Sequence, residues 1–370
     1  MSGIEQLIAS GVRGLQPYQP GKPAETLERE LGIKEIIKLA SNENPRGASP
    51  LVADAVGKVL SGVARYPDGS GHSLKQALSE RLDVSPEQIT LGNGSNDVLD
   101  LIARAFVDPG QEVVVSEHAF AVYLLAAKSV NARLVTVPAR EFGHDLDSMA
   151  KAVTDRTRVV FMANPNNPTG THLGFEAVER FLLAMPPSVI TVLDEAYFEY
   201  VNEADYPDGT VLLSRFPKLV ITRTFSKAYG LAGLRVGYAI ASEAITEVLN
   251  RVRHPFNTNS LALAAAEAAL ADDDFVSDSV LENRKGLEQL GSGFARLGLG
   301  WIPSVANFIC VHVGPHAAGI YQSMLQQGVI VRPVANYGLP EHLRITVGLD
   351  HENARALEAM EIALTESGRS

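Results

Sequence analysis

Arg223-Thr224-Phe225-Ser226-Lys227-Ala228-Tyr229-Gly230-Leu231-Ala232-Gly233-Leu234-Arg235-Val236-Gly237 follows directly on the apolar run Leu219-Val220-Ile221-Thr222. The run reads as a buried strand. Lys227 therefore stands at a strand exit, where partial desolvation lowers an amine's pKa and suits it to condense with a carbonyl. Thr224, Ser226 and Arg235 beside it have the hydroxyls and guanidinium that bind a phosphate. A solvated lysine after a strand is the alternative, and this stretch alone does not separate the two.

Three further segments bear on the choice. Val189-Ile190-Thr191-Val192-Leu193 is a second β-branched run, ended by Asp194 and followed by Glu195-Ala196-Tyr197. Asp194 lies at the carboxyl end of a strand, where open α/β sheets bind ligands. An aldehyde-reactive lysine, a phosphate cradle and a buried carboxylate to keep a ring nitrogen protonated are what pyridoxal phosphate requires. Asp194 could instead cap the next helix. Asn164-Pro165-Asn166-Asn167-Pro168-Thr169-Gly170 follows the strand-like Arg158–Met162, and its prolines and glycine hold a turn that leaves Asn167 free to donate to an anionic oxygen. Gly92-Asn93-Gly94-Ser95-Asn96-Asp97 precedes an apolar helix, Val98 to Phe106, and its glycines let backbone amides face a phosphate.

In this order the four segments resemble the fold-type I pyridoxal-phosphate aminotransferases over nearly the whole chain. Leu15-Gln16-Pro17-Tyr18-Gln19-Pro20-Gly21, Leu39-Ala40-Ser41-Asn42-Glu43-Asn44-Pro45, Arg65-Tyr66-Pro67-Asp68, Val331-Arg332-Pro333 and Leu343-Arg344-Ile345-Thr346-Val347-Gly348 narrow the resemblance to the histidinol-phosphate aminotransferases. The resemblance implies an α/β fold with a mostly parallel seven-stranded sheet in a large domain, and a smaller α+β domain. It also implies roles. Lys227 would carry the cofactor and shuttle the proton, with Asp194 at the pyridine nitrogen and Asn167 and Tyr197 at the phenolic oxygen. Ser95, Asn96, Thr224, Ser226 and Arg235 would surround the phosphate, joined by Tyr66 of a neighbouring subunit in a homodimer. Phe120 would stack on the ring, at a position where many relatives have tyrosine. Arg344 would grip a substrate carboxylate, and Arg332, Tyr18, Asn42 and Asn44 would complete the substrate site.

The implied reaction is transamination between L-histidinol phosphate and 2-oxoglutarate in histidine biosynthesis. An aromatic amino-acid aminotransferase, a threonine-phosphate decarboxylase and a non-catalytic pyridoxal-binding regulator are the alternatives. The regulator would need a DNA-binding module, and the chain has no basic helix for one.

Composition limits the partners. Lys and Arg number 32 against 43 Asp and Glu, a net charge of −11, which argues against nucleic acid or an anionic membrane surface. The single cysteine, Cys310, excludes an intrachain disulfide and fits a reducing compartment. With no basic-then-apolar leader and no long apolar stretch, a cytoplasmic location is expected. No G-x-x-x-x-G-K-[ST] or G-x-S-x-G occurs, and Gly92-x-Gly94-x-x-Asp97 lacks the third glycine of a dinucleotide site. Cys310, His312 and His316 are close in sequence, but Gly314 and Pro315 break any helix that would align them, so no metal is expected. His118 and His144 read as surface or loop residues.

At 370 residues the chain exceeds one comfortable core. Strand-like runs at 88–91, 112–115, 133–137, 158–162, 189–193, 219–222 and 237–241 alternate with helical stretches, the pattern of a parallel sheet covered on both faces. The expected division is residues 1–40 as an N-terminal arm packed with the smaller lobe, 41–274 as the large cofactor-binding lobe, and 275–370 as the small lobe, with Asp272-Asp273-Asp274 marking the boundary.

Overall fold

A computed structural model describes residues 3–17 and 21–368. Thirteen strands occur among these residues: β1 (Ile37–Lys38), β2 (Ile89–Gly92), β3 (Glu112–Ser116), β4 (Arg133–Val137), β5 (Thr157–Ala163), β6 (Ile190–Asp194), β7 (Leu219–Thr224), β8 (Gly237–Ala241), β9 (Gly300–Ile302), β10 (Phe308–His312), β11 (Val329–Ile330), β12 (Arg332–Pro333) and β13 (His342–Thr346). Seven of them form one sheet in the order β2-β8-β7-β6-β5-β3-β4. Pairings are parallel except that β8 runs antiparallel to both β2 and β7. The carboxyl ends of β2, β5, β6 and β7 consequently share one edge of the sheet, and the amino end of β8 joins them there.

Near-continuous apolar strands of this kind are buried on both faces. Val160, Met162, Leu193 and Ile221 pack into a core on one side, while Val159, Phe161, Val192 and Val220 pack into another on the opposite side. The alternation along each strand follows from its two-residue repeat. The Ala/Leu-rich helix Ser260–Leu270 buries Ala262, Ala265, Ala266 and Ala269 against the first core.

β12-β13-β10-β9 form a separate antiparallel sheet. Its residues Ile309, Val311, Leu343 and Ile345 share a core with Leu357 and Met360 of the helix Asp350–Glu366. Full burial of each such side chain contributes about 1.5–3 kcal/mol. Ile37 and Leu39 join this core from the other end of the chain, with β1 pairing in parallel to β11. The helix Ala24–Leu31 buries Leu27 beside Ala40, Leu325 and Ile330. Asp272 caps the helix Asp273–Arg296 by accepting from the Phe275 amide at 3.1 Å. That helix contributes Val276 to the larger sheet's core and Leu290 and Phe294 to the smaller sheet's core. Asp273 and Asp274 are thus the first turn of a continuous helix that spans both cores, where negative side chains complement the helix dipole.

Among the described residues no helix is long and apolar enough to cross a membrane.

Candidate active site

The sheet edge defined by β2, β5, β6 and β7 opens onto a cavity of about 230 Å³. Asn42, Ser95, Asn96, Phe120, Asn167, Asp194, Tyr197, Thr224, Ser226, Lys227, Arg235 and Arg344 all line it. Twelve residues expected from separate segments therefore meet in one place. Asp194 ends β6 and Thr224 ends β7, so strand termination itself delivers both.

Lys227 follows β7, and its Nζ donates to the Ser41 carbonyl at 3.0 Å. Part of its surface faces the cavity, but protein encloses the amine. That burial, with the positive charges of Arg344 and Arg235, pushes its pKa down to about 7. An amine titrating there is a competent nucleophile and proton carrier near neutrality.

Asp194 is only 4 % exposed. Its Oδ2 accepts from the Tyr123 hydroxyl at 2.6 Å and its Oδ1 from the Thr222 hydroxyl at 2.9 Å. Burial raises its pKa, and these two donors oppose the rise. The Tyr197 oxygen receives the Asn42 amide at 2.8 Å and the Asn167 amide at 3.2 Å. Burial pushes the Tyr197 phenol up to about 12, so it keeps its proton. With two donors occupying its acceptor positions, that proton remains available to the cavity. Asn42 sits at φ 55°, a left-handed conformation that asparagine tolerates. Its backbone N–H donates to the Thr346 hydroxyl at 2.9 Å, which holds the turn.

At one end the helix Ser95–Phe106 presents its N-terminus, a natural anion site, to Thr224, Ser226 and Arg235. Arg235 Nη1 donates to Ser226 Oγ at 3.2 Å and to the Ala232 carbonyl at 3.0 Å. Arg235 has φ 57°, unusual for a residue with a side chain and the kind of backbone strain that gathers at functional sites. Gly94 makes room for it: a Cβ there would lie 2.2 Å from Arg235 Nη2. Gly237 allows β8 to pass the helix, since its Cβ would come within 2.5 Å of the Ser95 nitrogen.

Arg344 occupies the other end and is 6 % exposed. It donates to Asn167 Oδ1 at 2.6 Å and to the Ala40 carbonyl at 2.8 Å, while its buried Nε has no hydrogen-bond partner. No carboxylate pairs with Arg344 or Arg235 among the described residues. A cavity lined by Lys227, Arg235 and Arg344 against one carboxylate, Asp194, is built for anions. It can take a phosphate at the helix terminus, a carboxylate at Arg344, and a ring with a basic nitrogen at Asp194.

Arg332 opens elsewhere. It lines an adjoining cavity of about 820 Å³ that shares Phe120, Tyr123 and Tyr337 as a common wall. Asn44, expected in the substrate site, is not there: its amide donates to the Ala228 carbonyl at 2.8 Å and Ser279 Oγ at 3.0 Å, tying the loop to the helix Asp273–Arg296. Tyr66 is 82 % exposed and stacks on Phe256 at 4.6 Å, outside the Lys227 cavity of its own chain. Tyr18 lies outside the described residues.

His118 and His144 both lie in loops, as expected, but they are buried rather than on the surface. His118 Nδ1 donates to the Tyr337 carbonyl at 2.7 Å. His144 Nε2 lies 3.1 Å from the Ala163 amide, and burial lowers its pKa to about 4. Both brace backbone at the rim of the site. Cys310 donates to the Pro168 carbonyl at 3.1 Å, and among the described residues no metal-ligating cluster forms.

Residues 34–360 match the family model of aminotransferase class I and II. The chain is 56% identical to histidinol-phosphate aminotransferase 2 of Pseudomonas fluorescens over 97% of its own length and 98% of that protein. It is 54% identical to histidinol-phosphate aminotransferase 1 of Nitrosococcus oceani over 98% of both chains. Among solved structures, the histidinol-phosphate aminotransferase of Sinorhizobium meliloti in complex with pyridoxal 5′-phosphate superposes with a TM-score of 0.91 at 31% identity, covering 97% of this chain and 98% of that one. The chain belongs to aminotransferase class I and II and, within that class, to the histidinol-phosphate aminotransferases.

Proposed function

We propose that this chain binds pyridoxal 5′-phosphate and transfers an amino group between L-histidinol phosphate and 2-oxoglutarate, a step of histidine biosynthesis. The observation that carries the reading is Arg344: a buried guanidinium with an unpartnered Nε is suited to an anion, and it lines the same cavity as an amine of lowered pKa.

Lys227, Ser95, Asn96, Thr224, Ser226 and Arg235 would hold the cofactor, with Phe120 against its ring, Asp194 at its nitrogen, and Asn167 and Tyr197 at its phenolic oxygen. When bound, the cofactor supplies an aldehyde to capture the amine and a ring to take up the electron pair left at the α-carbon. Lys227 Nζ moves the α-proton, which its lowered pKa permits near neutral pH. Asp194 holds a proton on the ring nitrogen. Arg344 orients the carboxylate of the 2-oxo acid or glutamate by paired hydrogen bonds. Arg332, opening into the larger cavity, and Asn42 contribute to the substrate site, with Arg332 suited to a phosphate because guanidinium binds both anions well.

The same reading includes a homodimer in which Tyr66 completes the partner's phosphate site, a cytoplasmic location, and a two-lobe division near residue 274. The exposed Tyr66 side chain supports the shared site, and the separate seven-stranded and four-stranded sheets support the division.

An amino-donor panel with 2-oxoglutarate tests the reaction. Histidinol phosphate is expected to exceed phenylalanine and tyrosine in kcat/KM. Preference for phenylalanine or tyrosine, or release of carbon dioxide from phosphothreonine, would overturn the assignment.

A further inference from the structure

We propose that Tyr123 is a positioning residue that keeps the Asp194 carboxylate ionised and aimed, so that the proton between it and the ring nitrogen stays on nitrogen. The inference rests on the cofactor reading above and adds to it a residue that none of the sequence segments singled out.

Tyr123 lies in the first turn of the helix Ala121–Ser129, three residues after Phe120, and is fully buried. Its ring stacks on Phe161 of β5 at 4.7 Å and 2°, and meets Phe120 edge-on at 5.8 Å and 90°. Two aromatic contacts fix the ring, leaving the hydroxyl little freedom. That hydroxyl reaches Asp194 Oδ2 at 2.6 Å, the short range of an O–H···O⁻ bond.

A buried tyrosine needs some acceptor, so packing alone is the simpler explanation. The acceptor argues against it. Asp194 is a buried acid that pairs with no Lys, Arg or His among the described residues. Its negative charge is held by hydrogen bonds: Tyr123 from the helix, Thr222 from β7, and the Ala196 amide from the following turn. The other titratable group beside it is Tyr197, protonated because of its own burial. Burial also holds the Tyr123 proton firmly on the phenol, so it acts as donor throughout.

Removing the hydroxyl makes Asp194 more basic. The shared proton then moves from the ring nitrogen to the carboxylate, with no net gain or loss of protons. A bound ring would thereby lose its positive charge and be a weaker electron sink, and its linkage to Lys227 would be easier to protonate.

The experiment is a spectrophotometric pH titration of the lysine-bound cofactor in holoenzyme, with steady-state kinetics alongside. Tyr123→Phe is expected to raise the titration midpoint by about one pH unit. It should lower kcat by roughly tenfold with KM changed less than about twofold, the pattern of lost transition-state stabilisation. 3-Fluorotyrosine at position 123, a more acidic phenol of nearly the same shape, is expected to move the midpoint the opposite way. Phe161→Leu loosens the ring packing but keeps the hydroxyl, and should move the midpoint in the same direction as Tyr123→Phe but by less.

An unchanged midpoint in Tyr123→Phe overturns the proposal. Should that variant not fold, an unchanged midpoint with 3-fluorotyrosine does so equally. Wild-type protein with no lysine-bound cofactor band would instead sink the cofactor reading itself.

Discussion

Arg332 and Arg344 are directly opposed across β12 and β13, yet they serve different cavities. Like charges placed opposite each other on a sheet are unfavourable. Here both guanidinium groups are buried as well, an arrangement that anionic ligands would relieve. Arg344→Ala should lower kcat/KM for glutamate by about 100-fold or more, on the order of 3 kcal/mol, as expected when one member of a buried charge pair is truncated. Arg344→Lys should restore little, because lysine cannot reproduce the planar fork. Initial-rate kinetics with each amino donor check both outcomes.

Gly94→Ala tests the anion site without replacing a charged residue. The new Cβ would displace the Arg235 guanidinium, and a backbone at φ 81° and ψ 165°, a region essentially reserved for glycine, would cost about 1–3 kcal/mol. Cofactor dissociation, followed by absorbance during dialysis, should accelerate by roughly tenfold, in keeping with one weakened charge-assisted contact. Unaltered retention of the cofactor would remove Arg235 from the phosphate site.

Lys227 ties stability to pH in the cofactor-free protein. Its folded pKa, about 7, lies below its unfolded value of 10.5. Between these values the unfolded chain binds the extra proton, so the lysine's contribution to stability rises from pH 7 to pH 10.5 and is lost as pH falls through 7. Lys227→Met should therefore stabilise the cofactor-free protein at pH 7 and reduce the gain seen on moving to pH 9. Melting temperatures of the two proteins at both pH values measure this.

Tyr66 provides the test of shared sites. If it completes a neighbour's phosphate site, mixing Lys227→Ala protein with Tyr66→Ala protein under exchange conditions should restore part of the activity. The hybrid would contain one site with both residues intact. No recovery, despite measured subunit exchange, would leave Tyr66 as a surface residue stacked on Phe256.

Much of the large sheet was legible because β5, β6 and β7 are uninterrupted apolar runs, each ended by a polar residue or turn. Lys227 and Asp194 could be read as a pair for that reason. Strand order was not legible: nothing local to Gly237–Ala241 announces that β8 runs antiparallel to its neighbours. Tyr123 was missed although it lies in the first turn of the helix that begins directly after Phe120. Thr222 was also missed, since its role depends on standing directly beside Asp194 across two parallel strands. Asn44 was misread because it shares a short segment with Asn42, and the turn at Asn42 sends the two side chains in different directions. His144 is a loop residue, but its burial was not legible because that depends on Ala163, which arrives from a different element.

The pairing of β1 with β11 has a consequence for how the molecule can be made. The Ile37 amide bonds to the Gly328 carbonyl at 2.8 Å, and the Leu39 amide to the Ile330 carbonyl at 2.7 Å. On the ribosome the first of these segments emerges long before its partner. Ile37 and Leu39 must therefore wait in water, unpaired, while the intervening chain is synthesised, an interval in which apolar segments are open to misassembly. Truncation just before Val329 would accordingly remove more than the distal helix and strands: it would strip the N-terminal segment of its only β-sheet partner among the described residues. The two distant segments are in this sense one unit of quality control.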